Sequence, residues 1–214
     1  LRGARVSVIA PDDAALAALR ADPPPRGALF LQPADVSRRA EAEPAVAACV
    51  AAQGPCDLLI TSAGTAHPAY FHEIPADEFE NDMAAGYFAT LNCVRAVVPA
   101  MMTRRRGAIA AVSSTAALVP LFGFAAYGPS QYAVRGLADI LRIELRPHGI
   151  HVACVYPADV DLPEVSAEGS SRPAELRGIF RGGKPIPPEQ VADAILKGVA
   201  RRRPVIYPDT RTRW

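Results

Sequence analysis

Ser114 and Tyr127 stand thirteen residues apart within residues 113–131, SSTAALVPLFGFAAYGPSQ, and Gln131 follows the tyrosine by four. A serine at the end of an apolar strand and a phenol opening a helix can converge on one carbonyl oxygen. The hydroxyl would hydrogen-bond that oxygen, while the phenol delivers or removes its proton as hydride moves at the carbon. Free tyrosine titrates near pKa ~10, too high for an efficient acid or base at neutral pH. A neighbouring ammonium would lower it by favouring the phenolate. The residue one turn on is Gln131, which offers hydrogen bonds and no charge. Each unit left unshifted is worth about 1.4 kcal/mol, so slowed proton transfer is expected.

The elements that must position these groups alternate. Short apolar runs at residues 4–10, 28–32, 58–61, 107–113, 150–156 and 204–207 read as strands. Helical patterns cover 12–20, 36–52, 76–103, 126–146 and 188–200. Such alternation predicts an α/β domain, a doubly wound parallel sheet covered on both faces. No linker or repeat divides residues 1–214, so one domain is expected. Doubly wound nucleotide-binding folds begin with a strand, a glycine-rich turn and a helix. Here Leu1-Arg2-Gly3 reads as the last turn of a helix with Gly3 as its cap. The expectation is a domain lacking its first strand, glycine-rich loop and first helix. Strands 4–10 and 58–61 should then face each other across a gap.

Composition narrows the function classes. The chain has 214 residues, half of them apolar, enough for a sizeable core. Its 23 basic and 22 acidic residues leave a net charge of +1, so there is no bulk electrostatic case for nucleic acid. Arginine runs at 104–106 and 201–203 fit either anionic lipid or phosphate contacts, or a solvated helix end and loop. Cys49, Cys56, Cys93 and Cys154 lack C-x-x-C spacing and read as reduced thiols of an intracellular protein. The uncharged run 109–127 nears membrane-span length. It holds two serines, Thr115, Pro120 and Gly123, however, and splits into a strand and a loop. No transmembrane segment or leader is read. His67, His72, His148 and His151 share no spacing with other ligand types, so surface or loop positions and no metal site are expected.

The serine–tyrosine stretch resembles the active-site signature of the short-chain dehydrogenase/reductase family, in which a serine precedes Y-x-x-x-K. Gln131 stands at the lysine position. The resemblance runs from the strand at 4–10 onward and implies a Rossmann-like sheet, an NAD(P) cofactor and ketone reduction. Asp35 and Val36 match the aspartate-aliphatic pair that holds the adenine ring; Asp35 also suits an N-cap for the following helix. Residues 57–64, DLLITSAG, resemble a strand ending in N-N-A-G, with Thr61 and Ser62 replacing the asparagines. Ser62, Ala63 and Gly64 stay small where the cofactor ribose passes close to the backbone. Gly86 occupies the position of an asparagine that helps hold a water chain to the lysine. Residues 155–163, VYPADVDLP, resemble P-G-x-x-x-T, which closes over the nicotinamide: Pro157 matches, Ala158 replaces glycine and Leu162 the threonine, with Val160 between them. The same resemblance puts Tyr127 and Gln131 in contact with the cofactor ribose.

Within the family, residues 121–124 (LFGF), 127–130 (YGPS), 132–138 (YAVRGLA) and 156–161 (YPADVD) look like 3-ketodihydrosphingosine (3-dehydrosphinganine) reductases. That likeness implies NADPH-dependent reduction of the 3-keto group of a long-chain lipid base. Leu118, Val119, Leu121, Phe122 and Phe124 suit an alkyl chain, or equally a loop-covering core. NADP(H) is implied by resemblance. Asp12 and Asp13, beyond Ala10 and Pro11, argue against a 2′-phosphate and keep NAD(H) open. The family uses the helices at 76–103 and 126–146 as a dimer face, implying a homodimer or homotetramer. A cytoplasmic protein with peripheral membrane contact is the corresponding location. The competing expectation is a degenerate member, with lysine, asparagine and threonine all replaced, that binds or assembles without turnover.

Overall fold

Strand β5 (Ile150–Val155, IHVACV) is buried along its whole length, as an apolar strand covered on both faces must be. In the computed structural model, which describes residues 3–11, 13–23, 27–64, 66–161, 175 and 185–209, it lies between β4 (Gly107–Val112) and β6 (Val205–Ile206). β4 pairs in turn with β3 (Leu58–Thr61), and every ladder is parallel, giving the order β3-β4-β5-β6. β1 (Arg5–Ala10) and β2 (Ala28–Pro33) form a second parallel sheet, in register from Arg5 opposite Ala28 to Ala10 opposite Pro33.

The α/β reading therefore holds, but the described strands fall into two sheets rather than one. Among the described residues β1 and β3 share no ladder. On β3 Ile60 is 43% exposed, while Ile109, Ala110 and Ala111 of the adjoining β4 are buried.

The helices are α1 (Asp13–Ala21), α2 (Arg39–Gln53), α3 (Ala76–Met83), α4 (Ala89–Arg104), α5 (Tyr127–Leu145) and α6 (Pro188–Ala200). Val94, Val97 and Met101 of α4 pack with Ile109, Val152 and the α5 residues Val134 and Ala138 on one face of the larger sheet. Ile195 of α6 covers Ala110, Ala153, Val155 and Ile206 on the other. The helix expected over 76–103 is not uniform. Residues Ala84–Phe88 form a π turn between α3 and α4, with the Ala89 N–H bonding the Ala84 carbonyl five residues back.

Two further expectations need correction. α2 starts at Arg39, not at 36, because the chain after β2 first makes a side-chain-bonded turn. His151 is not a surface residue: it sits on β5 at 9% exposure, and its Nε2 has no hydrogen-bond partner. Burial, with Arg202 adding to it, pushes its pKa below the ordinary histidine value, favouring the neutral ring. His67, by contrast, is exposed and lies 2.9 Å from Glu78. The arginines at 104–106 close the end of α4. Arg104 donates to the Cys56 carbonyl at 2.8 Å and pairs with Asp57 at 3.2 Å, while Arg105 donates to the Pro147 carbonyl at 2.6 Å. All four cysteines are free thiols. No helix among the described residues is long and apolar enough to cross a membrane.

Gly149 turns the chain into β5 with a φ of 75°, and a Cβ there would fall 2.5 Å from the main-chain oxygen of Arg105. Gly149→Ala combines a left-handed backbone with a clash against a rigid carbonyl, so it should cost about 2 kcal/mol or more. Urea denaturation measures this; an unchanged midpoint would refute the local geometry.

Candidate active site

The carboxyl ends of parallel strands share one edge of the sheet, and that edge is where open α/β sheets bind ligands. The expected residues follow strand ends in both sheets. Asp35 and Val36 follow β2, Ser62–Gly64 follow β3, Ser114 follows β4, and Pro157, Ala158 and Val160 follow β5. Tyr127 is the first residue of α5, and Gln131 lies one turn further along.

Ser114 is extended (φ −148°, ψ 162°) and caps a short 3-10 turn, Thr115–Ala117, by accepting the Ala116 N–H at 3.1 Å. That bond uses an oxygen lone pair and leaves the hydroxyl proton to donate elsewhere. Around it the backbone is fixed. Ser113 N–H bonds the Val155 carbonyl at 2.9 Å, and Thr115 N–H bonds the Pro157 carbonyl at 3.1 Å. Arg135 reaches from α5 to the Ala117 carbonyl at 2.8 Å. The buried Ser113 hydroxyl donates to the main-chain oxygen of Gln131 at 3.1 Å. Tyr127 is half-buried, its ring 6.0 Å from that of Phe124.

Gln131 is 3% exposed, and its Nε2 donates to Ser130 Oγ at 3.3 Å; Ser130 donates in turn to the Tyr127 carbonyl at 2.8 Å. Gly86 faces this pair from the π turn. A Cβ on it would lie 2.9 Å from Ser130 Oγ and 3.1 Å from Gln131 Nε2. Gly64 approaches the same amide, with a φ of 128° that a side chain would strain. Thus the Ser62–Gly64 turn, the π turn and the start of α5 meet in one neutral polar knot. Gly86 and Gln131, separate departures in the sequence, pack as a matched pair: this knot has no room for an asparagine at 86.

On the β2 side, Asp35 Oδ1 accepts the Ser37 N–H at 3.0 Å, and the Asp35 N–H donates to Glu41 at 3.0 Å. Asp35 caps a turn, not a helix beginning at Val36. Beyond β5, Pro157 is buried and Ala158 and Val160 half-buried. Val160 bridges to Ile186, and Asp159 and Asp161 bond the Ile186 main chain at 2.9 Å each. Asp12, Leu162 and the residues flanking Glu175 lie outside the described residues.

Several neighbours of the site carried no signal in the sequence. Tyr70 packs edge-on against Phe122, centroids 5.8 Å apart, and donates its hydroxyl to Glu175 at 3.0 Å. Ala69 N–H bonds the Gly123 carbonyl at 3.0 Å, so this segment walls the apolar loop that contains Leu118, Val119, Leu121 and Phe124. Asp82 of α3 is 4% exposed. Burial pushes its pKa up to about 6, Glu78 adds to the shift and His67 opposes it.

The profile of the short chain dehydrogenase family matches residues 1–173. The chain belongs to the short-chain dehydrogenase family. It is 40% identical over 144 residues to the 3-dehydrosphinganine reductase of Danio rerio, a match covering 67% of this chain and 43% of that protein. The chain therefore spans less than half the length of this relative. Its fold is similar to that of a short chain dehydrogenase/reductase from Burkholderia phymatum in complex with NAD, with a TM-score of 0.81 at 23% identity over 97% of this chain and 80% of that one. A short-chain dehydrogenase from Sphingobium yanoikuyae in complex with NADPH gives a TM-score of 0.79 at 27% identity over 99% and 80%.

Two outcomes follow for this short-chain dehydrogenase. Gly86→Ala should destabilise by about 1 kcal/mol through overpacking, although alanine is the better helix former, and Ser130→Ala should relieve that strain. A double-mutant cycle in urea reads the coupling, and strictly additive effects would mean that the two residues do not pack together. For Asp82, folding raises the pKa, so ionisation is penalised in the folded state. There is no penalty below the unfolded value near pH ~4, and the full penalty applies above pH about 6. Asp82→Asn should therefore stabilise by about 2–3 kcal/mol above pH 6, with the gain vanishing towards pH 4. A pH-independent difference between the two proteins would refute this.

Proposed function

We propose that this chain carries the catalytic residues of an NAD(P)H-dependent reductase that turns a ketone into a secondary alcohol, the substrate being the 3-keto group of a long-chain lipid base. The observation that carries the reading is the Ser114–Tyr127 pair, set on two elements that the Ser113–Gln131 hydrogen bond locks together. A bound nicotinamide supplies the hydride. Ser114 donates its hydroxyl proton in a hydrogen bond to the carbonyl oxygen and stabilises the charge that builds there. Tyr127 transfers its phenolic proton to that oxygen and completes the alcohol. Gln131 holds the first turn of α5 through Ser130 but adds no positive charge, so Tyr127 acts with less electrostatic help than an ammonium would give.

The residues present suit the cofactor. Ser62, Ala63 and Gly64 form an exposed turn without bulky side chains, open to a ribose. Asp35 and Val36 would hold the adenine side, and Pro157, Ala158 and Val160 the nicotinamide side. NADP(H) is preferred by likeness to the sphinganine reductases, with NAD(H) to be tested beside it. Support for a lipid base comes from the Danio rerio relative and from the apolar wall of Tyr70 and Phe122. Turnover is favoured over a degenerate role because the serine and tyrosine keep their places and the relative is named for its reductase activity. Exposed Ile140 and Ile143 on α5 support a homodimer or homotetramer built on that helix. A cytoplasmic, peripherally membrane-bound enzyme acting as one domain over 1–214 is the accompanying proposal.

The test measures NADPH and NADH oxidation by the full-length protein with 3-ketosphinganine. Tyr127→Phe should lower kcat by about 10²–10⁴ while cofactor binding persists, and Ser114→Ala should lower it by a smaller factor. Wild-type rates in both variants would sink the reading.

A further inference from the structure

Helix α4 turns two buried polar side chains away from solvent and onto two different turns. Thr90 donates to the hydroxyl of Thr61 at 3.2 Å, at the end of the strand that leads into Ser62–Gly64. Asn92, 7% exposed, donates Nδ2 to the carbonyls of Val36 at 3.0 Å and Ser37 at 2.9 Å. Two residues apart, these side chains point to different sides of the helix.

Asn92 matches its partners atom for atom. The turn between β2 and α2 belongs to no ladder, and the first backbone bonds leading into α2 are accepted by the Arg38 carbonyl. Two carbonyls of that turn face α4, and an amide NH₂ has two hydrogens to give. A leucine of similar size would remove both of these bonds. Ser37 then passes the restraint on: its carbonyl accepts from Asn92 while its N–H donates to the Asp35 carboxylate at 3.0 Å. Glu41 holds the Asp35 N–H from the other side.

We propose that Asn92 is a positioning residue for the nucleotide: by fixing the Val36 and Ser37 carbonyls it sets the orientation of the Asp35 carboxylate and the affinity for the cofactor's adenosine end, without entering the carbonyl chemistry. This rests on the reading of Asp35 and Val36 as the adenine side. The effect is felt in cofactor binding because Asn92 acts on the turn after β2, whereas Ser114 and Tyr127 follow β4 and open α5.

NADPH and NADH are titrated by fluorescence into full-length wild-type, Asn92→Ala and Asn92→Asp protein, and steady-state reduction is measured alongside. Asn92→Asp keeps the shape but replaces the donor with a carboxylate facing two carbonyls. The dissociation constant should rise about 10-fold in Asn92→Ala and at least as much in Asn92→Asp, with kcat at saturating cofactor and the ketone KM within twofold. Hydrogen exchange should quicken at the Ser37 and Arg38 amides while α4 keeps its protection. If Asn92→Ala does not fold, Asn92→Ser is judged by the same ratios. Unchanged cofactor affinity, a loss spread equally over kcat and both substrates, or unaltered exchange at the turn overturns the proposal. Absence of binding in the wild type would overturn the adenine reading as well, and the wild-type titration alone reveals that case.

Discussion

A buried hydrogen bond from the Ser113 hydroxyl to the Gln131 carbonyl ties the end of β4 to the second turn of α5. One residue beyond the donor is Ser114; one turn before the acceptor is Tyr127. The relative placement of these two hydroxyls is therefore inherited from this one contact and from the strands behind it. β4 lies between β3 and β5, and the Ser113 N–H extends the bonding to β5 through Val155. The backbone that carries Ser114 and Tyr127 is held by the core of the sheet, not by surface loops.

The knot around Gln131 is a buried polar network without a charge. A buried ammonium needs a partner or water to offset its desolvation. The amide of Gln131 donates to Ser130, and the space for that contact exists because Gly86 carries no side chain. The neutral knot links the first two turns of α5 through Ser130, whose hydroxyl accepts from Gln131 and donates to the Tyr127 carbonyl. Substitutions that look independent along the chain are packed against one another in space.

Much of this was legible in the sequence because strand ends in such folds are marked by residue type: small ones at Ser62–Gly64, a serine after an apolar run at Ser114, a proline at Pro157. The alternation of strand and helix gave the fold class for the same reason. Other features left no mark. The π turn lies in an alanine-rich stretch where no side-chain pattern separates i→i+5 from i→i+4 bonding. The bonds of Asn92 join residues more than fifty positions apart, and the asparagine itself resembles any polar helix residue. His151 read as a loop residue because its polarity outweighed the apolar strand around it. The division into two sheets depends on which strands find partners, and that is a property of the assembly, not of any one segment.

The π turn at Ala84–Phe88 also sets the phase of the long helix. Each residue of an α-helix advances the rotation by about 100°, and the wider turn changes that count between α3 and α4. The face of α3 that buries Asp82 and the faces of α4 that present Thr90 and Asn92 are thus registered to separate neighbours, with the turn as the coupling. Such a joint gives the two halves of one helix independent aim: the half ahead of it can be re-clocked by adding or removing a single residue there, while the half behind it stays bound to the turns it supports.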